Sequence, residues 1–297
     1  MEIVFDEEIS SRIDSYLSNK LDYSRSKIVK MISDGTILVN NKQVKNSYSL
    51  KKDDIITVGE YIEEEMNIEP EDIPLDIVYE DDDVMVINKP NGMVVHPAVG
   101  NNHGTLVNAL LYYSKNLSDI NGEFRPGIVH RIDAYTTGLL MIAKNNKAHE
   151  ILADELSKKE TTRRYIALVW GVINEDTATI DAPIGRDIND RKKMAVTSIN
   201  SKDAVTHLKV LERYKEATLI ELQLETGRTH QIRVHMNYIG HPVVNDPVYG
   251  KRKIIDETGQ CLHAFQLGFI HPTTHKYMEF KCDTPKCFTN ILNMFKD

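Results

Sequence analysis

The chain has 297 residues, 41% of them hydrophobic and 27% charged, and its formal net charge is −8 at pH 7. This length and composition suit one large domain plus a small one and exclude a disordered or fibrous protein. No apolar run approaches the roughly 20 residues that a membrane-spanning helix needs, and the acidic N-terminus is unlike a basic signal peptide. We therefore expect a cytoplasmic protein without a membrane partner.

The first 60 residues are predicted to form a small α/β domain. Apolar residues at helical spacing indicate one helix around Ile13 and Leu17, and a second that begins after Ser24, a suitable N-cap. Gly35 is expected to end that second helix. Residues 37–44 then have the pattern of a compact hairpin with an Asn-Asn turn.

Basic residues are concentrated in this N-terminal part, with seven of them in 28 positions. They are Arg25, Lys27, Lys30, Lys42, Lys45, Lys51 and Lys52. The stretch from residue 24 to residue 58 resembles the S4 RNA-binding module, so we expect the three bases of the second helix to contact RNA phosphates. The alternative is an ordinary solvated helix face.

An acidic segment separates the two predicted domains. Between Glu63 and Asp83 stand 11 acidic residues and no Lys or Arg. Without those 11, the chain has 33 acidic residues against 36 Lys and Arg, so the negative net charge does not argue against RNA binding. Like-charge repulsion, together with Pro70 and Pro74, predicts that residues 61–76 form an extended linker that lets the domains move.

Residues 77–297 are predicted to form an α+β domain with a mixed, largely antiparallel sheet that carries helices. Residues 84–87 are expected to be a buried strand, and residues 105–113 a helix with one apolar face. Further strands are predicted at residues 165–170, 204–211 and 217–224. Apolar residues at helical spacing predict a helix over residues 229–239.

A single carboxylate, Asp133, lies on a short polar loop before an apolar run. The loop belongs to the sequence His130-Arg131-Ile132-Asp133-Ala134-Tyr135-Thr136-Thr137-Gly138-Leu139-Leu140. Loops on a rigid scaffold often hold nucleophiles, although an isolated Asp in such a pattern more often caps a turn. The whole run resembles the catalytic motif of RluA/RluD-type RNA pseudouridine synthases.

Further segments resemble the same family in the same order along the chain. They are residues 88–97, 104–111, 125–129, 164–171, 226–235 and 262–264, with His271-Pro272. The likeness extends from about residue 75 to the C-terminus, and an S4 module ahead of such a domain resembles the ribosomal branch of the family. The resemblance implies an enzyme that isomerises specific uridines in RNA without a cofactor.

The resemblance also implies roles for individual residues. Asp133 is the expected nucleophile, attacking either the base or the sugar, and Arg233 is the cation that neutralises it. Tyr165 is expected to stack on the uracil and to offer its hydroxyl for proton transfer. Additional substrate contacts are expected from Lys89, His130, Arg131 and Arg228. Packing or a turn would explain Lys89 and Arg131 about as well, and His130 has the alternative of a hydrogen bond within its loop. Arg228 is expected to contact phosphate or the rim of the cleft.

The sequence departs from the family pattern in two places, at the pair Ala134-Tyr135 and at Asn245. Ala134-Tyr135 stands where a charged pair is common, which removes a phosphate contact and affects the expected RNA preference. Asn245 stands where Gly is usual. Large-subunit ribosomal RNA is the expected substrate of a monomeric enzyme, and the alternatives are a tRNA-modifying enzyme and a non-catalytic RNA-binding or ribosome-assembly protein.

A metal hydrolase is the weakest alternative. His230, His235 and His241 lie close together, but the first two are separated by about 140° around a helix, unlike the facing pair of a zinc helix. The three cysteines lack Cys-x-x-Cys spacing, so we expect free thiols at Cys261, Cys282 and Cys287 and no metal site.

Overall fold

The computed structural model describes residues 1–61, 68–97, 102–114, 117–120, 126–190, 192–250 and 254–296. Arg125 of the family-like segments and residues 62–67 of the predicted linker lie outside the described residues. The chain divides into two compact units, Met1–Met66 and Asn67–Asp297. No helix in the described part of the chain has the length and apolar character needed to cross a membrane.

The N-terminal unit combines two helices with a three-stranded antiparallel sheet. Its elements are β1 (Glu2–Val4), α1 (Ile13–Lys20), α2 (Arg25–Ser33), β2 (Ile37–Val39) and β3 (Ile55–Val58). The strand order is β1-β3-β2. The side chain of Ser24 accepts a hydrogen bond from the Lys27 amide and caps α2 as predicted, and Gly35 follows the helix with a left-handed φ of 84°.

The predicted hairpin over residues 37–44 forms only around its turn, and its second strand is absent. Asn40 and Asn41 do form a turn, with left-handed φ values of 48° and 59°. Beyond the turn, Val39 makes only an isolated antiparallel bridge with Lys42, and β2 pairs along its whole length with β3. The Asn40 side chain explains this pairing, because it donates to Asp54 and accepts from the Ile55 amide, which ties the turn to β3.

The second unit is built on one large mixed sheet. Its elements are β4 (Ile77–Glu80), β5 (Val84–Lys89), α3 (Leu106–Tyr113), β6 (Thr137–Ala143), α4 (Asn146–Lys158), β7 (Thr162–Trp170), β8 (Thr177–Asp181), β9 (Ile184–Arg186), β10 (Met194–Val196), β11 (Val205–Arg213), β12 (Ala217–Leu224), α5 (Gln231–Tyr238), β13 (Leu262–Ile270), β14 (Tyr277–Lys281) and α6 (Lys286–Asn293). The order is β4-β5-β6-β13-β7-β12-β11-β8, and β14 pairs with β13. This confirms the predicted α+β fold with a mixed, largely antiparallel sheet.

The strands β5 and β6 are buried on both faces, which explains their continuous apolar sequences. Alternate residues of a strand face opposite sides. Met85 and Leu140 therefore belong to the core that includes Leu106 and Leu110 of α3. Val84 and Met141 belong instead to the core that includes Leu152 of α4.

A parallel pairing of β6 with β13 positions the loop that carries Asp133. Gly138 lies opposite Ala264 in this pairing. Its φ is 110°, and a Cβ at this position would overlap the carbonyl oxygen of Ala264 and lie 2.8 Å from its nitrogen. The Thr-Thr-Gly end of the motif therefore needs Gly so that the two backbones can approach each other.

The described part of the predicted linker, residues 68–76, contacts the second unit. Ile68 and Leu75 pack against its largest apolar core. The Glu71 amide donates to the Asn108 carbonyl at 3.0 Å, and the Asn108 side chain donates to the Glu69 carbonyl at 2.8 Å. These contacts attach residues 68–76 to the second unit, while the domain boundary at 61–76 stays a prediction.

Candidate active site

A cavity of about 420 Å³ lies beside Asp133 in the second unit. It falls in the size range of small-molecule sites, about 300 to 1,000 Å³. Its walls include Asp133, Tyr165, Arg233, His130, His230, Arg131, Arg163 and Arg228. Among the described residues, the lining thus has four arginines and one carboxylate. A chain with a negative net charge therefore presents a positively charged cavity, which suits a polyanion.

Asp133 and Arg233 form an ion pair, as the resemblance implies. Arg233 Nη1 donates to Asp133 Oδ2 at 2.9 Å. The Asp133 side chain is 17% exposed and that of Arg233 only 5%, so the pair is shielded from water on the arginine side. The Oδ2 atom of Asp133 is thus neutralised by Arg233, while the carboxylate still borders the cavity.

A second carboxylate, Asp246, anchors the same arginine. Arg233 Nε and Nη2 donate to its two oxygens at 2.7 and 2.9 Å. Asp246 is fully buried and also accepts from the amides of Val248 and Tyr249. Burial lowers the pKa of Arg233, but Asp246 and Asp133 reverse this effect and raise it above its ordinary value. This contact between Arg233 and Asp246 was not predicted from the sequence.

The start of α5 determines where Arg233 points. Ile232 and Met236 are buried in the main core. Gln231 ties the first turn to β11, because its Nε2 donates to the Val205 carbonyl and the Thr206 hydroxyl at 3.0 Å. The helix is shorter than the predicted 229–239, since it begins at Gln231 and ends at Tyr238.

Tyr165 lies on β7 and lines the cavity. It is 6% exposed and packs in the main apolar core. Burial raises the pKa of its hydroxyl above the ordinary value for tyrosine, with a smaller contribution from Asp133 in the same direction. The phenol therefore remains protonated at neutral pH and can donate a hydrogen bond into the cavity.

The motif predicts a substrate contact for Lys89, but the structure does not support one. Lys89 is fully buried, and its ammonium donates to the carbonyls of Pro90, Met93 and Ala134 at 2.8, 2.9 and 2.8 Å. All three of its protons are used within the protein. Burial lowers the pKa of Lys89 to about 7. Its contacts link the loop after Asp133 to the turn after β5, which is a structural role.

His130, Arg131 and Arg228 all reach the cavity, as expected for substrate contacts. His130 Nε2 accepts from the Met141 amide at 3.2 Å, and burial lowers the pKa of His130 to about 3, so this histidine is neutral. Arg131 is exposed. Arg228 donates through Nε to the Asp203 carbonyl at 2.9 Å. The positions of these three residues are compatible with substrate contacts, and the contacts stay predictions.

Arg163 is a cavity residue that the sequence analysis missed. It is only 7% exposed, and its Nε has no hydrogen-bond partner among the residues that the structure describes. A hydrogen bond from Nη2 to the Glu225 carbonyl is long, at 3.4 Å. The available signal was its position two residues before Tyr165 on β7, which places both side chains on one face of the strand.

Asn245 fits its position even though the family usually has Gly there. Its φ is 62°, a conformation that Asn tolerates better than most residues. Its amide also donates to Asp256 and to the Gly259 carbonyl at 2.8 Å, and its Oδ1 accepts from the Ile255 amide. The side chain thus holds the segment before β13, and the backbone leads directly into Asp246.

The bases predicted to contact RNA in the N-terminal unit lie on or beside α2. Arg25 binds the buried carboxylate of Asp14 at 2.9 Å. The Lys27 ammonium lies 4.6 Å from the Tyr23 ring centre and 5.3 Å from that of Tyr61, and Lys30 lies 5.7 Å from the Tyr61 ring centre. This surface combines cations with aromatic rings, as nucleic-acid-binding surfaces often do.

The histidines considered for a metal site are used in separate hydrogen bonds. His235 contacts the Thr206 hydroxyl and the Ala182 carbonyl, and His241 contacts the Trp170 carbonyl. Within the described ranges, no three His, Cys, Asp or Glu side chains are grouped so that they could hold a metal ion. The three cysteines are free thiols.

Comparison with known proteins gives consistent results across both units. The RNA pseudouridylate synthase family matches residues 83–238, and the S4 domain matches residues 11–56. A Bacillus subtilis (strain 168) protein described as an uncharacterised RNA pseudouridine synthase is 52% identical over 288 residues, covering 97% of this chain and 95% of that protein.

Two further proteins of known description are similar to this chain. The ribosomal large subunit pseudouridine synthase D of Escherichia coli (strain K12) is 41% identical over 308 residues, covering 99% of this chain and 93% of that protein. The solved structure of human RNA pseudouridylate synthase domain containing 1 superposes with a TM-score of 0.59 at 30% identity, covering 71% of this chain and 84% of the human one.

Proposed function

Because the chain belongs to the RNA pseudouridylate synthase family, it isomerises uridine to pseudouridine in RNA, and we propose that Asp133 is its nucleophile and large-subunit ribosomal RNA its substrate. The substrate proposal rests on relatives named for the ribosomal large subunit that match nearly the whole chain. The nucleophile proposal rests on one observation: Asp133 borders the cavity while Arg233, fixed by Asp246, neutralises one of its oxygens.

The reaction breaks the bond from uracil N1 to the ribose, turns the base and joins it again through carbon. A carboxylate can support this sequence by covalent catalysis, because it forms and then releases a bond to the base or to the sugar. Asp133 Oδ2 is engaged by Arg233, which leaves Oδ1 as the atom directed to the reacting nucleotide. The fixed cation also stabilises the carboxylate when it leaves, without reorganising during the reaction.

Tyr165 is proposed to stack on the uracil and to donate a proton or hydrogen bond to it. Its place in the cavity wall and its protonated hydroxyl support this role. A hydroxyl with a raised pKa is a poor base at neutral pH, so Tyr165 acts first as a donor. Aromatic stacking accepts the ring in either orientation, which suits a base that turns during the reaction.

The arginines of the cavity support RNA binding. A uridine within folded RNA has to be flipped out of its stack to reach Asp133, which costs a few kcal/mol. Arg131, Arg163 and Arg228 are proposed to bind the phosphates on either side of the flipped nucleotide. The bases Arg25, Lys27 and Lys30 of the S4 domain are proposed to hold a neighbouring part of the same RNA.

A map of pseudouridine in total RNA tests this proposal. Carbodiimide labelling and reverse-transcription stops are compared in cells with the native gene, without it, and with Asp133→Asn. We expect stops in large-subunit ribosomal RNA that disappear in both altered strains. Loss of stops in tRNA alone would show a tRNA-modifying enzyme instead.

The same strains test the non-catalytic alternative. If the protein only binds RNA, Asp133→Asn should restore every growth or ribosome-assembly defect of the deletion strain, and no stop should be lost in any RNA. A cytoplasmic, monomeric enzyme is part of the proposal, and sedimentation equilibrium of the purified protein tests the monomeric state.

A further inference from the structure

His230 has an unusual backbone conformation next to the nucleophile. It is the N-cap residue of α5, with a left-handed φ of 57°, and its side chain makes no capping hydrogen bond. Non-glycine residues in this conformation are uncommon and are often found at functional sites. The side chain lines the same cavity as Asp133 and Tyr165.

Tyr249 determines which nitrogen of His230 carries the proton. The Tyr249 hydroxyl lies 2.8 Å from His230 Nδ1 and accepts the Met194 amide at 2.9 Å. It is buried, and burial raises its pKa, so it keeps its proton. Among the described residues, Nδ1 is the acceptor available to that proton. Since burial also lowers the pKa of His230, the imidazole is neutral, accepts at Nδ1 and carries its hydrogen on Nε2.

The Nε2 atom faces the oxygen of Asp133 that Arg233 does not bind. It lies 3.9 Å from Asp133 Oδ1, whereas Arg233 Nη1 lies 2.9 Å from Oδ2. The longer distance is beyond a direct hydrogen bond, but an oxygen atom placed about 2.8 Å from both atoms fits between them. Such an atom must accept from Nε2–H and donate to the carboxylate at the same time, so it belongs either to a water molecule or to a hydroxyl group of the substrate that takes the place of that water.

An internal uridine of RNA has one group with this property. The uracil carbonyls and the phosphate oxygens only accept, the N3–H group only donates, and the 3′ and 5′ oxygens are esterified. The 2′-hydroxyl both donates and accepts. We propose that His230 and Asp133 together bind the 2′-hydroxyl of the target uridine, with Tyr249 as the positioning residue for His230.

This inference rests on the proposed function, because that function places the target uridine at Asp133. The contact with the 2′-hydroxyl adds two features to the proposed function. The 2′-carbon is bonded to the anomeric carbon, so the contact brings the bond to be broken next to Asp133. It also makes the site specific for ribose, since a deoxyribose leaves both Nε2–H and Oδ1 without the bridging oxygen.

The test uses a synthetic RNA stem-loop that contains the uridine identified by the pseudouridine map, and a second RNA with 2′-deoxyuridine at that position only. Single-turnover rates and dissociation constants are measured for the native protein, His230→Gly and Tyr249→Phe. Gly adopts the left-handed conformation without strain, so His230→Gly removes the imidazole while the backbone stays favourable. Tyr249→Phe keeps the imidazole but removes the donor to Nδ1.

For the native protein we expect 2′-deoxyuridine to lower the rate constant divided by the dissociation constant roughly 10- to 100-fold. In His230→Gly this penalty should shrink to a few-fold, and in Tyr249→Phe it should fall between the two. Comparing penalties removes the intrinsic effect of the sugar on reactivity, which is the same for every variant. A purely structural role of His230 or Tyr249 would lower both rates equally.

The outcomes separate this inference from the proposed function. In one outcome, the native protein modifies the unaltered RNA while 2′-deoxyuridine lowers the rate by the same factor in all three proteins. That result would overturn the assignment of His230 but would leave the proposed pseudouridine synthase activity intact. If the native protein modifies neither RNA, the proposed function fails and this inference fails with it. If His230→Gly is poorly folded by circular dichroism, the penalty measured for Tyr249→Phe decides alone.

Discussion

Asp246 binds the Arg233 guanidinium through two hydrogen bonds, Nε to Oδ2 at 2.7 Å and Nη2 to Oδ1 at 2.9 Å. A bidentate pair of this kind fixes the plane of the guanidinium as well as its position. Because Asp246 is itself held by two backbone amides, the cation keeps its orientation whether or not Asp133 is bonded to substrate. Asp133, the proposed nucleophile, therefore lies beside a preorganised charge.

Replacement of Asp246 should lower stability and activity together. In Asp246→Asn the buried Arg233 loses its main counter-charge, and breaking a buried ion pair of this kind costs about 3 to 5 kcal/mol. We expect the free energy of unfolding to fall by about 3 kcal/mol, because Asp133 remains as a partial counter-charge. Guanidinium chloride unfolding measures this change, and single-turnover kinetics measures the loss of activity.

Asp133→Asn is the matched control for that experiment. It removes the partly exposed member of the same network and leaves the pair of Arg233 with Asp246 intact. We expect a loss of stability below about 1 kcal/mol and a loss of rate on the order of 10³-fold or more. An active Asp133→Asn enzyme would show that the nucleophile has been misassigned.

Gly138→Ala should destabilise the second unit strongly. A Cβ there would overlap the backbone of Ala264 in the parallel pairing of β6 with β13, and φ is already 110°. We expect a loss of about 3 kcal/mol or more in the free energy of unfolding, because the obstacle is backbone and cannot turn away.

Gly92→Ala provides the comparison for Gly138→Ala. Gly92 has a φ of 80°, and a Cβ there meets nothing within 4 Å. Only the backbone preference is lost, which costs about 1 to 2 kcal/mol. Equal effects of the two substitutions in urea unfolding would contradict the close-approach explanation.

Replacements of Tyr165 should separate stacking from proton donation. Tyr165→Phe keeps the ring but removes the hydroxyl, so RNA affinity should change less than about 10-fold while the single-turnover rate falls about 10²-fold. Tyr165→Leu loses the aromatic face as well, and its RNA affinity should fall further. If Tyr165→Phe retains the native rate, the hydroxyl has no part in the reaction.

The N-terminal unit should lose stability in acid through Asp14. Hydrogen bonds from Arg12, with a smaller contribution from Arg25, lower the pKa of Asp14 from 3.8 to about 2 despite its burial. Because the folded pKa is lower than the unfolded one, the unfolded state binds more protons in this window. The stabilisation is therefore fully present above pH 3.8 and is lost as the pH falls towards about 2.

Asp14→Asn measures this contribution in the full chain. The difference in free energy of unfolding between the native protein and the variant should be constant at about pH 5 and above and should decrease below pH 4, roughly as the carboxylate is protonated. Urea unfolding followed by tyrosine fluorescence reports the change. A difference that does not depend on pH would show that Asp14 stabilises the unit by packing and not by charge.

Local signals in the sequence predicted the elements whose formation depends on neighbouring residues. Ser24 caps α2, the turn at Asn40 and Asn41 forms, and the apolar runs of β5 and β6 become buried strands. The hairpin over residues 37–44 was predicted only in part, because strand pairing depends on a residue beyond the turn. Asn40 binds Asp54 and so selects β3 as the partner of β2.

The sequence by itself determined the family and the two domains that the family implies. It also determined Asp133, Tyr165 and Arg233 as candidate site residues. These results were accessible because each motif is contiguous and the order of the motifs is read directly from the chain. Only the tertiary structure decided that Lys89 is enclosed, that Asp246 anchors Arg233 and that Tyr249 orients His230 towards Asp133. Asp133 and Arg233 are 100 positions apart. Periodicity shows which face of an element is apolar, but contacts between distant elements depend on how the sheet brings their ends together.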